Sequence, residues 1–178
     1  LERGDAKRAM VEAGRAKALA PRAPAVREIN GLALYQQGRW QEALSELQAY
    51  RRLSGRQDQN HVIADCLRAL DRPADVVPLA EAALRDPSVQ AERKAEAAIV
   101  AAAALADQGR YPEALAFLGR FRTKADVAAG PSLRLWYVRG DILERAGRRR
   151  EAAQEFQKVV RQDPTAFDAA ERLAHLAS

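Results

Sequence analysis

Small and apolar residues recur along this chain at the spacing of an α-helix, in segments separated by short polar turns. Gly31, Ala64, Ala102 and Gly140 each stand seven residues before a turn, and Leu47, Ala80, Leu118 and Phe156 follow in the next segment, four residues beyond Ala43, Val76, Ala114 and Ala152. Positions four apart share one helix face, so the first set marks where two helices of a pair approach without side-chain bulk and the second set marks core positions. The pattern predicts helices near 5–19, 24–37, 40–54, 57–70, 73–85, 88–108, 111–125, 131–146, 149–162 and 165–177. Ala9, Ala13 and Ala16 form the packing face of the first, which Pro21 closes.

The turns themselves repeat. Gly4-Asp5-Ala6-Lys7-Arg8-Ala9, Gly38-Arg39-Trp40-Gln41-Glu42-Ala43, Gly109-Arg110-Tyr111-Pro112-Glu113-Ala114 and Gly147-Arg148-Arg149-Arg150-Glu151-Ala152 are versions of one phrase, with a degenerate copy at Asp71-Arg72-Pro73-Ala74-Asp75-Val76. Their first residues are separated by 34, 33, 38 and 38 positions. Glycine tolerates the left-handed conformation that ends a helix, and the residues after it start an antiparallel partner. Val76 in place of the packing Ala, and Pro78 close behind, predict a bend or a late helix start in the second pair. Ser88 and Ser132 are the expected N-caps of their helices, and the longer intervals imply an extended loop around Asp126 to Pro131.

Ala, Leu, Arg and Glu dominate while aromatic residues make up 6%, a balance that favours helix over strand. The chain is therefore expected to be all-α. Cys66 is the only cysteine, which excludes an internal disulfide and a C-x-x-C metal or redox pair, and it reads as packed rather than reactive. The one near-continuous apolar run, Ala97 to Ala106, falls far short of the roughly 18 residues of a membrane span. The chain opens on Leu1 without an initiating Met and without a secretory leader, as expected of a piece of a longer protein. A cytoplasmic location is expected.

In the last pair, Trp136, Gly140, Leu143, Ala152, Phe156 and Pro164 stand in the order of the tetratricopeptide repeat, with Arg139 and Val159 as departures. Gly31, Leu34, Gly38, Trp40, Ala43 and Leu47 fit in the first full pair, where Arg27 and Asn30 depart. The chain thus resembles the tetratricopeptide family over nearly its whole length, and in its Val26 to Gly38 and Ala64 to Pro73 phrasing it is similar to uncharacterised members from high-GC Gram-positive bacteria. The resemblance implies a right-handed solenoid of antiparallel helix pairs as a single domain over 1–178. Its parts would be a half repeat at 1–22, repeats at 23–56, 57–87 (degenerate), 88–130 and 131–164, and a terminal helix at 165–178. Trp40, Tyr111 and Trp136 fall on its consensus positions and are expected in the core.

The same resemblance places the binding groove on the first (A) helix of each pair. The residues it assigns there are Glu28, Leu32, Tyr35 and Gln36, then Asp58, His61, Asp65 and Arg68, then Glu96, Ile99, Ala103 and Asp107, and finally Tyr137, Asp141, Glu144 and Arg145. The chain carries 29 basic and 24 acidic residues, a net charge of +5, yet this set is mostly acidic, which favours a basic or amphipathic partner segment. The Lys and Asn clamp by which some family members hold a chaperone's terminal carboxylate is absent, since Glu28, Leu32, Asp65, Ile99 and Ala103 fall where it would lie.

No phosphate loop, nucleophile elbow or His-rich metal spacing occurs. His61 lies four residues from Asp65, compatible with a shared ligand or with an ordinary surface pair. The expected function is a protein-interaction scaffold, neither an enzyme nor a cofactor carrier. Two alternatives stand beside it: binding of nucleic acid or an anionic surface through Arg148, Arg149 and Arg150, and self-association through an end of the stack to give a homodimer.

Overall fold

The computed structural model describes Ala20, residues 22–120 and residues 130–177. Its helices are α1 (Pro24–Gln36), α2 (Trp40–Ser54), α3 (Asn60–Ala69), α4 (Val76–Arg85), α5 (Ala91–Asp107), α6 (Tyr111–Gly119), α7 (Gly130–Arg145), α8 (Arg149–Gln162) and α9 (Ala169–Ala177). A 3-10 turn at Pro73–Asp75 leads into α4. This is the late start expected of the degenerate pair. The helix expected at 5–19, with Ala9, Ala13 and Ala16, and the loop expected from Asp126 lie outside the described residues. Packing divides the chain into two compact units, Leu1–Ala97 and Ala98–Ser178, with the boundary inside α5.

In the first unit, α1 and α2 meet at Gly31. A Cβ there would stand 2.5 Å from Leu47 Cγ, so only glycine allows this approach. Ala43 and Leu47 are fully buried in α2, as are Ala64 and Cys66 in α3 and Val76 and Ala80 in α4. Burial, with the charge of Asp65 second, pushes the Cys66 thiol up to about 12, far from the thiolate form that reacts. Arg27, a departure from the family pattern, is an ion-pair partner of Glu46 across α1 and α2 at 2.9 Å. Trp40 is half-buried and meets the Tyr35 ring edge-on, with centroids 5.3 Å apart.

The second unit repeats the device at Gly140 of α7. A Cβ there would stand 2.7 Å from Cε1 of Phe156, a fully buried ring in α8. Leu143, Ala152, Phe156, Val159 and Ala169 form one core cluster, with Trp136, Tyr137 and Leu173 packed against it.

Four turns share one geometry. Backbone N–H groups of Arg39, Arg72, Arg110 and Arg148 donate to the carbonyls of Leu34, Leu67, Leu105 and Leu143, five residues earlier, at 3.1, 2.8, 3.0 and 2.9 Å. That bond is the signature of a Schellman cap. Gly38, Gly109 and Gly147 hold the left-handed position at φ between 71° and 74°, and Asp71 holds it at 55°. The side chains of the same arginines then turn onto the carboxylate three residues on: Arg39 to Glu42 at 2.7 Å, Arg72 to Asp75 at 2.8 Å, Arg110 to Glu113 at 2.8 Å and Arg148 to Glu151 at 2.7 Å. Hydrogen bonds from the arginines hold the Glu42, Glu113 and Glu151 carboxyls below the usual range. The repeated Gly-Arg-x-x-Glu phrase is therefore a cap and a clip together, a role for Arg and Glu that the glycine reading had missed.

Asp71 tolerates the left-handed region less well than glycine. Asp71→Gly is expected to raise the stability of the first unit by up to about 1 kcal/mol. A urea midpoint that moves up with an unchanged slope would bear this out, and one that stays or falls would count against it.

The expected caps differ. Ser88 does not cap α5, because its N–H and Oγ both donate to Asp86 Oδ1, at 2.8 and 2.7 Å, in an Asx turn that delays the helix to Ala91. Asp163 takes the N–H and Oγ1 of Thr165 in the same way, at 2.9 and 2.7 Å, so α9 starts at Ala169 and not near 165. Ser132 lies inside α7 and is buried, so it is no cap either. Helix α3 starts at Asn60 and not 57 because Asp58, Gln59 and Asn60 turn inward.

Candidate functional site

In the first unit, the A helices α1 and α3 are tied to each other through the residues assigned to the groove. Tyr35 Oη donates to Asp65 Oδ2 at 2.5 Å, and Arg68 Nε donates to the other oxygen of the same carboxylate at 3.0 Å. Gln59 Nε2 donates to Glu28 Oε1 at 2.6 Å. Helix spacing puts Tyr35 one turn beyond Leu32, where its ring backs onto Trp40 while its hydroxyl reaches the next A helix. His61 is half-buried one turn before Asp65, whose oxygens are engaged by Tyr35 and Arg68.

Asp58 does not belong to an exposed face. It is buried, accepts a hydrogen bond from Tyr50 Oη at 2.8 Å, and pairs with Arg93 at 3.1 Å and Arg56 at 2.8 Å. Burial first, and the bond to Asp58 second, push the Tyr50 phenol up to about 12. Ile99 is likewise buried, and Glu96 and Ala103 are half-buried. Asp58 precedes the first turn of α3 and is not on a helix face at all, whereas Ile99 lies within α5 on a face that is covered.

In the second unit, Tyr137, Asp141, Glu144 and Arg145 all stand on α7, with Asp107 beside them. Arg145 Nη2 donates to Asp107 Oδ1 at 3.1 Å and to the Ala106 carbonyl at 3.0 Å, and its Nη1 stands 3.7 Å from Asp141. The decisive residue was not expected. Arg172 of α9 reaches back to donate to Asp141 at 2.9 Å, to Glu144 at 2.7 Å and to Tyr137 Oη at 3.3 Å. Its guanidinium lies 4.7 Å from the Phe156 ring centroid and 5.7 Å from that of Tyr137. Burial works to lower its pKa, but the hydrogen bonds with Tyr137, Asp141 and Glu144 outweigh it and leave the pKa raised.

Tyr137 Oη in turn donates to Asp168 at 2.7 Å. Burial, then this bond, raise the Tyr137 pKa. Phe167 stacks on the same ring with centroids 4.5 Å apart, at a positive φ of 57° and 54% exposed.

A signal for Arg172 was present. Two residues before the small A-helix position stand Val62, Val100 and Val138, and counting 34 residues on from Gly140 places Ala174 as the next small position and Arg172 where those valines lie. A charge at an otherwise apolar position pointing to the preceding helix calls for carboxylates to receive it. The acidic character expected of the face is accordingly reduced. Asp65, Asp107, Asp141 and Glu144 each hold an arginine of the chain itself, though Asp168 and Glu171 remain exposed beside Tyr137 and Arg172.

The arginine run is also partly used internally. Arg148 clips Glu151, and Arg149 Nη2 donates to the His175 carbonyl of α9 at 3.1 Å. Arg150 is exposed. Among the described residues no helix is long and apolar enough to cross a membrane.

Repeated antiparallel helix pairs with one recurring turn cap, and with side chains linking α1 to α3 in the first unit and α7 to α9 in the second, define a helical-repeat protein. The tetratricopeptide repeat profile matches residues 2–58, 104–167 and 137–177. The chain belongs to the tetratricopeptide repeat family, whose fold generally serves protein interaction. No curated protein matches it by sequence.

Solved structures share the fold. TTC0263, a thermophilic TPR protein of Thermus thermophilus, is 18% identical with a TM-score of 0.74, over 98% of this chain and 91% of its own. YrrB, described as a TPR protein with an unusual peptide-binding site, is 20% identical with a TM-score of 0.66, over 94% and 83%. The human IFIT1 dimer with m7Gppp-AAAA is 18% identical with a TM-score of 0.69, over 97% of this chain and 41% of its own.

Proposed function

We propose that the chain is an interaction scaffold that holds a segment of another protein against the exposed faces of its A helices. The observation that carries this reading is the network on α1 and α3. Tyr35, Asp65 and Arg68 are only partly covered, and their mutual hydrogen bonds fix donors and acceptors in place before any partner arrives. Such preorganisation reduces the ordering cost of binding, and partly buried tyrosine is a favoured interface anchor. A peptide-binding site in YrrB, which has the same fold, supports a peptide as the form of the partner.

Arginines of the chain offset much of the acidic character, so an amphipathic segment with a few basic residues fits better than a strongly basic one. Glu28 and His61 would add polar contacts in the first unit, and Asp107 in the second. The second unit presents a face of its own, where Tyr137, Asp141, Glu144 and Arg145 would act in the same way through the edges left open by Arg172. No step of chemistry is assigned to any of them.

Peptides selected by display on the purified chain provide the test. Tyr35→Ala with Asp65→Lys is expected to weaken their binding by about tenfold or more while far-ultraviolet circular dichroism keeps its helical signal. Selected peptides that bind the double variant as tightly as the parent would sink the assignment of this face.

A further inference from the structure

A second feature of the first unit lies away from the A helices. Gln48 and Arg51 of α2, Leu67 at the end of α3, Arg72 and Asp75 of the following turn, and Pro78 and Leu79 of α4 enclose a cleft of about 330 Å³, at the lower end of the size of ligand sites. It opens at the degenerate repeat. The 3-10 turn at Pro73–Asp75 delays α4, which has 10 residues against 15 in α2. Asn60 Nδ2 holds the far wall by donating to the Leu79 carbonyl at 3.0 Å. Arg72, Asp75 and Pro78 are exposed, so one edge is open to a passing chain.

Arg51 makes the cleft chemically unusual. Among the described residues, Arg27, Arg51, Arg93 and Arg172 are the half-buried arginines. Three of them have a carboxylate from the chain itself: Glu46 for Arg27, Asp58 for Arg93, and Asp141 with Glu144 for Arg172. Arg51 has no such partner among the described residues. A partly desolvated guanidinium favours a counter-charge; its place in the last turn of α2 supplies only the partial charge of the helix end, and no carboxylate among the described residues adds to it.

The remaining lining decides its kind. Asp75 occupies Arg72 at 2.8 Å, which leaves the cleft one positive charge in excess. One carboxylate balances that excess, whereas a doubly charged phosphate would lie against Asp75. Leu67, Pro78 and Leu79 add an apolar floor suited to an aliphatic side chain.

We propose that this cleft docks an acidic peptide segment, with one Asp or Glu side chain on Arg51 and a neighbouring aliphatic side chain on Leu67, Pro78 and Leu79. It is separate from the A-helix face and does not depend on the reading of that face.

The probe is a fluorescein-labelled synthetic peptide of alternating leucine and glutamate, beside its leucine and glutamine counterpart, followed by fluorescence anisotropy at low salt on the whole chain. The glutamate peptide is expected to bind saturably, about tenfold or more tighter than the glutamine one. Arg51→Gln should weaken it to a similar degree, with helical content unchanged. Asp75→Asn should tighten it, because Arg72 is then released to the ligand. Tyr35→Ala should leave it unaltered, which separates this site from the A-helix face. Absence of saturable binding at millimolar protein, equal binding to Arg51→Gln, equal binding of the glutamine peptide, or inorganic phosphate competing as strongly as the glutamate peptide would each overturn the proposal.

Discussion

Phe156→Ala is expected to lower the stability of the second unit by about 3–5 kcal/mol, the range for emptying the site of a buried phenylalanine. The ring is fully buried and fills the space that Gly140 leaves on the facing helix. It also lies beneath the Arg172 guanidinium, so its removal takes away packing and a cation–π contact together. Domains commonly hold only about 5–15 kcal/mol in all, which makes this a loss large enough to bring the unit to the edge of unfolding. Trp136 packs against the same cluster, and its fluorescence in a Trp40→Phe background reports the transition during urea titration. A loss under about 1 kcal/mol would show that the cluster collapses around the gap.

Gly140→Ala attacks the same contact from the other side. The added Cβ would meet three ring carbons at 2.7 to 3.0 Å, and displacing a packed ring is expected to cost about 1–3 kcal/mol. The two changes should not add. In a Phe156→Leu background Gly140→Ala should cost measurably less, since the narrower side chain yields the space. Additive costs would mean that Gly140 is needed for a reason other than the ring.

Arg172→Met is expected to weaken the same unit through its charges. The variant keeps an unbranched apolar stem but takes the Arg172 cation from Glu144, leaves Asp141 with Arg145 alone at 3.7 Å, and removes the donor to Tyr137. Hydrogen bonds to charged groups contribute about 1.5–3 kcal/mol each when removed. Solvent screening at a site with side-chain exposures of 20%, 32% and 26% reduces the expected total to about 1–2 kcal/mol. The loss should be concentrated in α9, so amide exchange there should accelerate more than in α8. Adding Asp141→Asn and Glu144→Gln should recover part of it. Uniform acceleration across the unit would show that Arg172 does not act by docking α9.

Local patterns were the legible part of this fold. Helices α2 and α8 fall on their expected limits, 40–54 and 149–162, because a Gly-Arg phrase starts each and the small and large residues at a four-residue spacing run through each. The close approach at Gly31 and Gly140 and the core positions Leu47 and Phe156 were legible for the same reason, but not that each glycine faces that particular side chain. The Asx turns at Asp86 and Asp163 are also local; Ser88 resembles a cap when read without the Asp two residues before it, and Thr165 stands in the same relation to Asp163.

The candidate face was legible only in position. Tyr35, Asp65, Tyr137, Asp141 and Glu144 stand on A helices as their spacing implied, but what they touch depends on side chains about 30 residues away, as with Tyr35 to Asp65 and Arg172 to Glu144. Counting charges along each helix cannot show that the carboxylates of one helix have been matched by the arginine of the next. The inward turn of Asp58 toward Tyr50 and Arg93 is of the same kind.

The recurring cap and clip bears on how freely this chain can change. Each corner is specified within a run of nine residues, as from Leu34 to Glu42, through a backbone bond and a salt bridge that refer to nothing elsewhere. A corner of that sort can be copied, spaced further from the next, or degraded at its lead residue, as at Asp71, without instructing the helices on either side. The information that keeps the architecture thus occupies few positions, and the remainder of each helix surface is at liberty to drift. Structures with the same fold and fewer than one residue in four in common are what such an economy of specification would leave behind.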